Sequence, residues 1–593
     1  MDALYHHRWA LAVAAGRQFI SDAFFRAPLY PHFLGLVYRL LGPDLLAARV
    51  VQAVLGSVSC GLLYLLGRRV LAARDAGEGV SRAAGLVLGA YPLAVWFDAQ
   101  LLMPSLLVLL VLLSLLLFYR SVDTDRHWWA PGLALGAASI TRPNTLAFLS
   151  VLLVWCFLRY RSDAWKRAGL LSVGVALCVI PVAVRNYVRG DSIVPIAWQA
   201  GTNFYIGNNP ESDGVTAVLP GTRQGWWSGY NDVRRLAEQA AGRPLRGAEV
   251  DRHWLGQGFR FISRNPARAA GLLVRKAWLL LAGVEAGNNR DIYFFTRRTW
   301  LGVLLHRFDF LKFPFGLVAP LALVGVWVLR KRARRLTLLY LFLVAYGLSF
   351  VLFFVNARFR MPMVPVFLLL ACAGLAGLIR ARGRDRVVAV SLGLAALIVL
   401  NLNLFGAGRA ADPVQNHLAV ATGLHETGRD REAMAELHLA LSADSAVNVL
   451  ALEATVLMAM RQPGLALASA RAAVSRFPDN AEVHGTFGNV LAASGQMDSA
   501  RVHFERALVL DPYAVQAWNN LGNIALSTGS LADARRYYER ALEIDPSFVT
   551  AEFHMGLVDY YQGNSEAARG RWRRVLKLDP DHSKARQALE RLR

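Results

Sequence analysis

An aspartate, Asp2, stands almost at the start of the chain, with Tyr5 and Trp9 after it and then Phe24-Phe25-Arg26-Ala27-Pro28-Leu29-Tyr30-Pro31. A carboxylate among rings in a partly dry setting is a candidate general base, because burial raises its proton affinity towards neutrality. Asp2 is also what a charged residue at a frayed terminus would look like. Asp98, between two apolar runs, either supplies a second carboxylate or only caps a helix. Far along the chain, Asn356-Ala357-Arg358-Phe359-Arg360-Met361-Pro362 sets two guanidiniums beside an apolar run. Such cations are costly there unless they meet an anion, and the guanidinium fork suits phosphate. Arginines that merely snorkel to an interface would be replaceable by lysine. Thr141-Arg142-Pro143-Asn144 adds another guanidinium, and Arg185-Asn186-Tyr187 closes a further run. Between Trp198 and Pro210 the chain mixes rings and amides, with Asn203, Tyr205, Asn208 and Asn209 among them. Rings for an apolar face and amides for hydroxyls suit a sugar; a tight Gly-Asn turn is the bland alternative. Lys276, Glu285 and Asn288-Asn289 are weaker candidates of the same kind. No Ser-His-Asp arrangement, phosphate-binding glycine loop or metal-ligand spacing is visible, so no metal or nucleotide cofactor is expected.

The elements that must position these residues are membrane-like. Hydrophobic residues make up 55% of the 593, the mean hydropathy is +0.33, and the apolar residues concentrate in the first two-thirds. A chain this long exceeds one domain. The formal charge of +23 sits largely in short clusters between apolar runs, which reads as positive-inside topology and not as a nucleic-acid footprint. The four cysteines all lie in apolar runs, so no disulfide framework is expected. Runs near 45–66, 83–97, 101–118, 131–140, 146–158, 170–184, 314–329, 336–354, 364–379 and 387–405 give about ten spans, several of them short of the roughly 20 residues a bilayer needs. With every basic cluster placed in the cytoplasm, Asp2, Asp98, Arg142, the 186–313 loop, the 356–362 turn and everything after Phe405 share the outer face. The segment 265–282 is expected to lie at the interface, because Arg275 and Lys276 in mid-bilayer would cost roughly 2.5–3.5 kcal/mol each. Asp2, His6, His7 and Arg8 rule out a signal peptide at the start. Met1 outside without a preceding span implies that it is not the native start and that a helix is missing upstream.

From about Asp412 the composition becomes that of soluble helix, and an internal repeat emerges. Gly488, Ala500, Phe504, Ala507 and Pro512 recur at Gly522, Ala534, Tyr538, Ala541 and Pro546, and again at Gly556, Ala568, Trp572, Val575 and Pro580. The 34-residue period is that of the tetratricopeptide repeat. Weaker copies precede it at Ala454, Ala466, Ala473, Pro478 and at Gly428, Ala433, Ala440, and a charged helix over 583–593 would cap the array.

The acidic start, the aromatic-Pro-Leu-Tyr-Pro run, Thr141–Asn144 and Arg358–Pro362 resemble polyprenyl-phosphate-sugar-dependent membrane glycosyltransferases of the GT-C type, which include protein O-mannosyltransferases and lipid A aminoarabinose transferases. A membrane transferase followed by outward-facing repeats also resembles the animal transmembrane and tetratricopeptide-containing O-mannosyltransferases. The resemblance implies an all-α protein. Residues 1–405 would form the membrane domain, with the loop at 186–313; 406–413 would be a linker and 414–593 the repeats. It implies transfer of a sugar from a polyprenyl-phosphate donor to a hydroxyl on the outer face of a bacterial-type inner membrane. Asp2 would be the base with Asp98 as second carboxylate, and Arg142, Arg358 and Arg360 would hold the phosphate. Tyr5, Tyr30, Asn203, Tyr205, Asn208 and Asn209 would line the sugar or acceptor site, and the repeats would recruit a protein acceptor or partner. Many members carry Asp-Glu where this chain has Asp2-Ala3, which leaves the second carboxylate to come from elsewhere. A lipid-diphosphate-glycan ligase and a non-catalytic scaffold for the repeats are the rival readings.

Overall fold

The structure, a computed structural model, describes residues 2–16, 19–20, 22–71, 75–190, 193–222, 226–287, 291–297, 299–303, 305, 311–406, 413–443, 447–545, 548–579 and 582–592. Pro546, Pro580 and Asn288-Asn289 lie outside the described residues. The chain divides into two compact units, Met1–Arg409 and Ala410–Arg593, and both are helical.

In the first unit, α1 (Asp2–Ala14) and α2 (Leu29–Leu41) pack side by side. They are followed by α3 (Leu45–Leu71), α4 (Asp75–Gly89), α5 (Pro92–Asp98), α6 (Pro104–Thr124), α7 (Trp129–Thr141), α8 (Leu146–Tyr160) and α9 (Ala164–Gly190). A long segment with α10 (Ala200–Gly207), α11 (Trp226–Ala241), α12 (Gly247–Arg264), α13 (Pro266–Leu281) and α14 (Ile292–Thr296) separates these from α15 (Phe315–Val328), α16 (Ala333–Val351), α17 (Ala357–Arg360), α18 (Val364–Arg380) and α19 (Gly383–Asn401). Close approach of α1 to α2 needs Gly35, where a Cβ would sit 2.6 Å from Val13 Cγ1. The core is built from α4, α6, α15, α16 and α18, whose Leu, Val and Phe side chains are buried together.

Five described segments are long and apolar enough to cross a membrane: Leu45–Leu71, Pro104–Thr124, Pro143–Gly190, Arg330–Val351 and Ala357–Arg380. The pair Gly77–Gly89 and Pro92–Asp98, bent by 49°, makes a sixth if it is one span. The expectation of about ten exceeds this for physical reasons. α7 has 13 residues and α15 has 14, about 20 Å of helix against a core of about 30 Å. α19 opens on Arg384, Asp385 and Arg386. Pro143–Gly190 is broken at Arg161, where φ is +47°, so α8 and α9 account for two expected spans within it. The chain is a multi-pass membrane protein.

The second unit is a solenoid of helix pairs. α20 (Pro413–Glu426) packs with α21 (Asp430–Ala443), α22 (Val447–Ala459) with α23 (Pro463–Arg476), and α24 (Ala481–Ala493) with α25 (Met497–Leu510). α26 (Val515–Ser527) pairs with α27 (Leu531–Ile544), α28 (Val549–Tyr561) with α29 (Ser565–Leu578), and α30 (Ser583–Arg591) closes the array. The repeat glycines explain the pairing. A Cβ on Gly488, Gly522 or Gly556 would lie 2.6, 2.5 or 2.3 Å from the ring of Phe504, Tyr538 or Trp572.

Candidate functional site

α1 turns one face inward, burying Tyr5, His6, Trp9 and Ala10, and Asp2 lies on that face one turn earlier. Trp9 holds the helix in place by packing on Phe19 (ring centroids 5.8 Å apart), Phe24 (5.3 Å) and His32 (5.7 Å). The segment before α2 is tied to the large loop. Asn186 accepts from Phe24 N at 3.0 Å and donates to the carbonyls of Val194 and Ile196, both at 3.0 Å. Trp198 N donates to the Phe24 carbonyl at 3.0 Å, and the Arg185 guanidinium lies 3.8 Å from the centre of the Phe24 ring. These ties aim Arg26 at Asp2, and its Nη1 donates to Oδ1 at 2.9 Å.

A second guanidinium arrives from the other end of the unit. Asn356 caps α17 by accepting from Phe359 N at 3.0 Å, Val355 N donates to Gly214 O, and Ala357 N donates to Ala286 O. The turn so fixed presents Arg358, whose Nη1 donates to Asp2 Oδ2 at 2.6 Å. Asp2, Arg26 and Arg358 keep 21%, 22% and 12% of their side-chain surface exposed, so the triad is reachable. Arg142 stands behind it. Its guanidinium is 3.6 Å from the centre of the Phe359 ring, with Arg358 5.4 Å from that same ring. Among the described residues no carboxylate pairs with Arg142, and its buried Nε has no hydrogen-bond partner. The Nε of Arg358 is likewise buried and unpartnered.

Burial works against the charge on Asp2, but Arg26 and Arg358 outweigh it and hold the carboxyl well below the usual aspartate range. This reverses the expectation of a raised pKa: the dry setting is present, but two guanidiniums override it. At Arg142 burial lowers the proton affinity, and Arg358 and Arg26 lower it further against Tyr346 and Asp2. Among the described residues the site thus gathers three guanidiniums and one carboxylate.

Several expected site residues are employed elsewhere. Arg360 is 2% exposed and its guanidinium is spent on Glu285, the carbonyls of Leu280, Ala282 and Val284, and the Phe315 ring. Its guanidinium is directed into the core and away from Asp2, against the expectation that it joins Arg358 at a phosphate. Arg360→Ala would leave Glu285 buried and uncompensated, an expected loss of about 3–5 kcal/mol of stability, readable by thermal unfolding in detergent. Asp98 does not join Asp2. Its carboxylate accepts from Ser105 Oγ at 2.5 Å and lines a groove of about 380 Å³ with Arg49, Ser59, Val108 and Met361. Between the two regions stands Tyr30, whose hydroxyl donates to Gln52, which in turn donates to the Asp98 and Gln100 carbonyls.

In α10 and the turn after it, the bland reading prevails. Asn208 donates to the Phe204 and Leu352 carbonyls and accepts from Lys276; Asn209 donates to the Tyr205 and Ile206 carbonyls and accepts from Glu211 N. Both are buried, so neither amide is offered to a sugar. Tyr205 packs on Trp254 at 5.1 Å, and Asn203, partly exposed, is not brought to the triad. Lys276 faces the protein and not an interface: it is fully buried and donates to the carbonyls of Gly207 and Phe353. Tyr5 does join the site, with Arg26 5.6 Å from its ring centre. Sequence reasoning missed Arg26 as a site residue, although it sat in plain view inside the aromatic run, and missed His6.

Residues 26–186 match the family model of the dolichyl-phosphate-mannose-protein mannosyltransferases. Residues 452–514 and 486–547 match that of the tetratricopeptide repeat. The first match implies a membrane glycosyltransferase of the mannosyltransferase type. No curated protein matches the chain. Solved structures similar to part of it include pilF of Pseudomonas aeruginosa, at 22% identity and TM-score 0.28, covering 30% of this chain and 82% of that one. A thermophilic tetratricopeptide protein of Thermus thermophilus matches at 16% and 0.28, covering 30% and 98%. One from Parabacteroides merdae matches at 15% and 0.25, covering 30% and 72%.

Proposed function

We propose that the membrane unit transfers a sugar from a polyprenyl-phosphate monosaccharide to an acceptor hydroxyl, with Asp2 as base and Arg26, Arg142 and Arg358 as the cradle for the donor phosphate. The observation that carries this reading is the convergence of two guanidiniums, Arg26 and Arg358, on one carboxylate, with a third, Arg142, behind them over the Phe359 ring and paired with no carboxylate among the described residues. The donor phosphate supplies the missing charge. As it draws Arg26 and Arg358 to its oxygens, Asp2 loses the two cations that depress its proton affinity and becomes basic enough to act. Asp2 then takes the acceptor hydroxyl proton while the hydroxyl oxygen bonds to the sugar's anomeric carbon. The bond from that carbon to the phosphate oxygen breaks, its electron pair stays on the phosphate held by arginine, and the anomeric centre inverts. The apolar groove that reaches Met361 suits the prenyl chain. The charge pattern favours an outer-face site in a bacterial inner membrane, with the repeats on the same side, where they would recruit a protein acceptor or partner.

The test is binding by the full-length protein in nanodiscs. Dolichyl phosphate is expected to bind saturably and more weakly as salt rises. Absence of saturable binding by folded protein, or equal binding of uncharged dolichol, would remove the phosphate site.

A further inference from the structure

His6 lies one turn after Asp2 on α1, at the spacing that puts both side chains on one helix face. Its ring is 1% exposed, and neither Nδ1 nor Nε2 has a hydrogen-bond partner. Its position is set by aromatic packing, edge-on against Tyr30 at 5.0 Å and tilted against Tyr5 at 5.6 Å. That packing would suit a phenylalanine as well. An imidazole buried with both nitrogens unmet carries a desolvation cost that a carbocyclic ring would avoid. Burial and the neighbouring Arg26 push its pKa down to about 3, so the ring is neutral and offers one donor and one acceptor. That pairing matches a hydroxyl group, which also donates once and accepts.

We propose that His6 hydrogen-bonds a hydroxyl of the transferred sugar and so helps to select which sugar is carried. This rests on the reading of Arg26, Arg142 and Arg358 as the phosphate cradle. The sugar's anomeric carbon is bonded to a phosphate oxygen, so a phosphate held beside Asp2 keeps the ring hydroxyls within a few ångströms of that carboxylate, where the next turn of α1 places His6. An acceptor hydroxyl has no such tether to the phosphate. The partial exposure of the Asp2 triad marks where the sugar enters.

The test compares wild type, His6→Phe and His6→Gln, all full-length in nanodiscs, titrated with dolichyl phosphate carrying mannose, the same lipid carrying glucose, and the bare lipid. His6→Phe is expected to weaken the better-bound sugar lipid about tenfold, the scale of one polar group left unmet, while the bare lipid binds within twofold of wild type. Retained binding of the bare lipid also shows that the variant is folded. His6→Gln, which keeps a donor and an acceptor, is expected to recover most of the loss. Sugar lipids bound as in wild type by His6→Phe, equal losses for sugared and bare lipids, or a wild type that does not distinguish them would overturn the assignment. Binding of no phosphate lipid by the folded wild type would instead remove the phosphate reading beneath it.

Discussion

Asp2→Asn is expected to cut sugar transfer by about 10²–10⁴-fold, the range that a positioned base contributes, while dolichyl phosphate binds at least as tightly as before. The two effects have opposite signs because Asp2 does two things. As the proposed base it is needed for turnover. As an anion between Arg26 and Arg358, at 2.9 and 2.6 Å, it competes with the donor phosphate for the same guanidiniums. The near-isosteric amide removes the competing charge and keeps the shape. A purely structural Asp2 would predict weaker lipid binding and lower thermal stability together, and that outcome would sink the assignment. The depressed pKa has a consequence for pH dependence. The free protein keeps Asp2 charged down to below about pH 4, so kcat/KM for the donor is expected to show no acid limb from Asp2 between pH 5 and 8. An acid limb in kcat alone would mean that donor binding had raised the pKa, as release of the arginines requires.

Arg142→Met is the second large effect. It is expected to weaken dolichyl phosphate binding by roughly 10- to 100-fold, the scale of a charge-assisted hydrogen bond lost from a buried site. It should also leave the free protein as stable as wild type or more so, because replacing a buried cation that lacks a counter-charge removes a desolvation cost. Arg142→Lys should restore only part of the binding, since an ammonium cannot reproduce the fork or its contact with the Phe359 ring. Thermal unfolding with and without dolichyl phosphate reads both quantities at once. Loss of stability without loss of lipid binding would make Arg142 a structural residue.

Arg358 and Arg360 show why the site was only half legible in the sequence. They are identical residues two positions apart, and both pointed to phosphate. Two steps on a helical turn rotate a side chain by about 200°, so α17 sends one guanidinium to Asp2 and the other into the core to Glu285. The sequence does not say which. Asn208 and Asn209 failed for a related reason: residue type shows that an amide can bond a ligand, but not that its own turn has already taken the bonds. Arg26 went unnoticed because what aims it, the ties among Phe24, Asn186 and Trp198, joins residues more than 160 positions apart. The repeats were legible because each unit solves the same packing problem with the same glycine and ring. The spans are legible as apolar runs, but composition does not fix helix length, as the 13- and 14-residue helices α7 and α15 show.

With Arg358 in the proposed cradle, the buried Arg360–Glu285 pair bears on donor affinity without touching the donor. Together with the Asn356 cap and the tie of Ala357 to Ala286, it leaves the α17 turn little freedom before any lipid arrives. The conformational entropy of holding Arg358 in place is therefore lost when the protein folds and not again when the phosphate binds. A loosely held arginine would surrender part of its binding energy to its own ordering; this one does so only for its outermost torsions. A core ion pair outside the proposed cradle thus sets part of the free energy available to Arg358 within it.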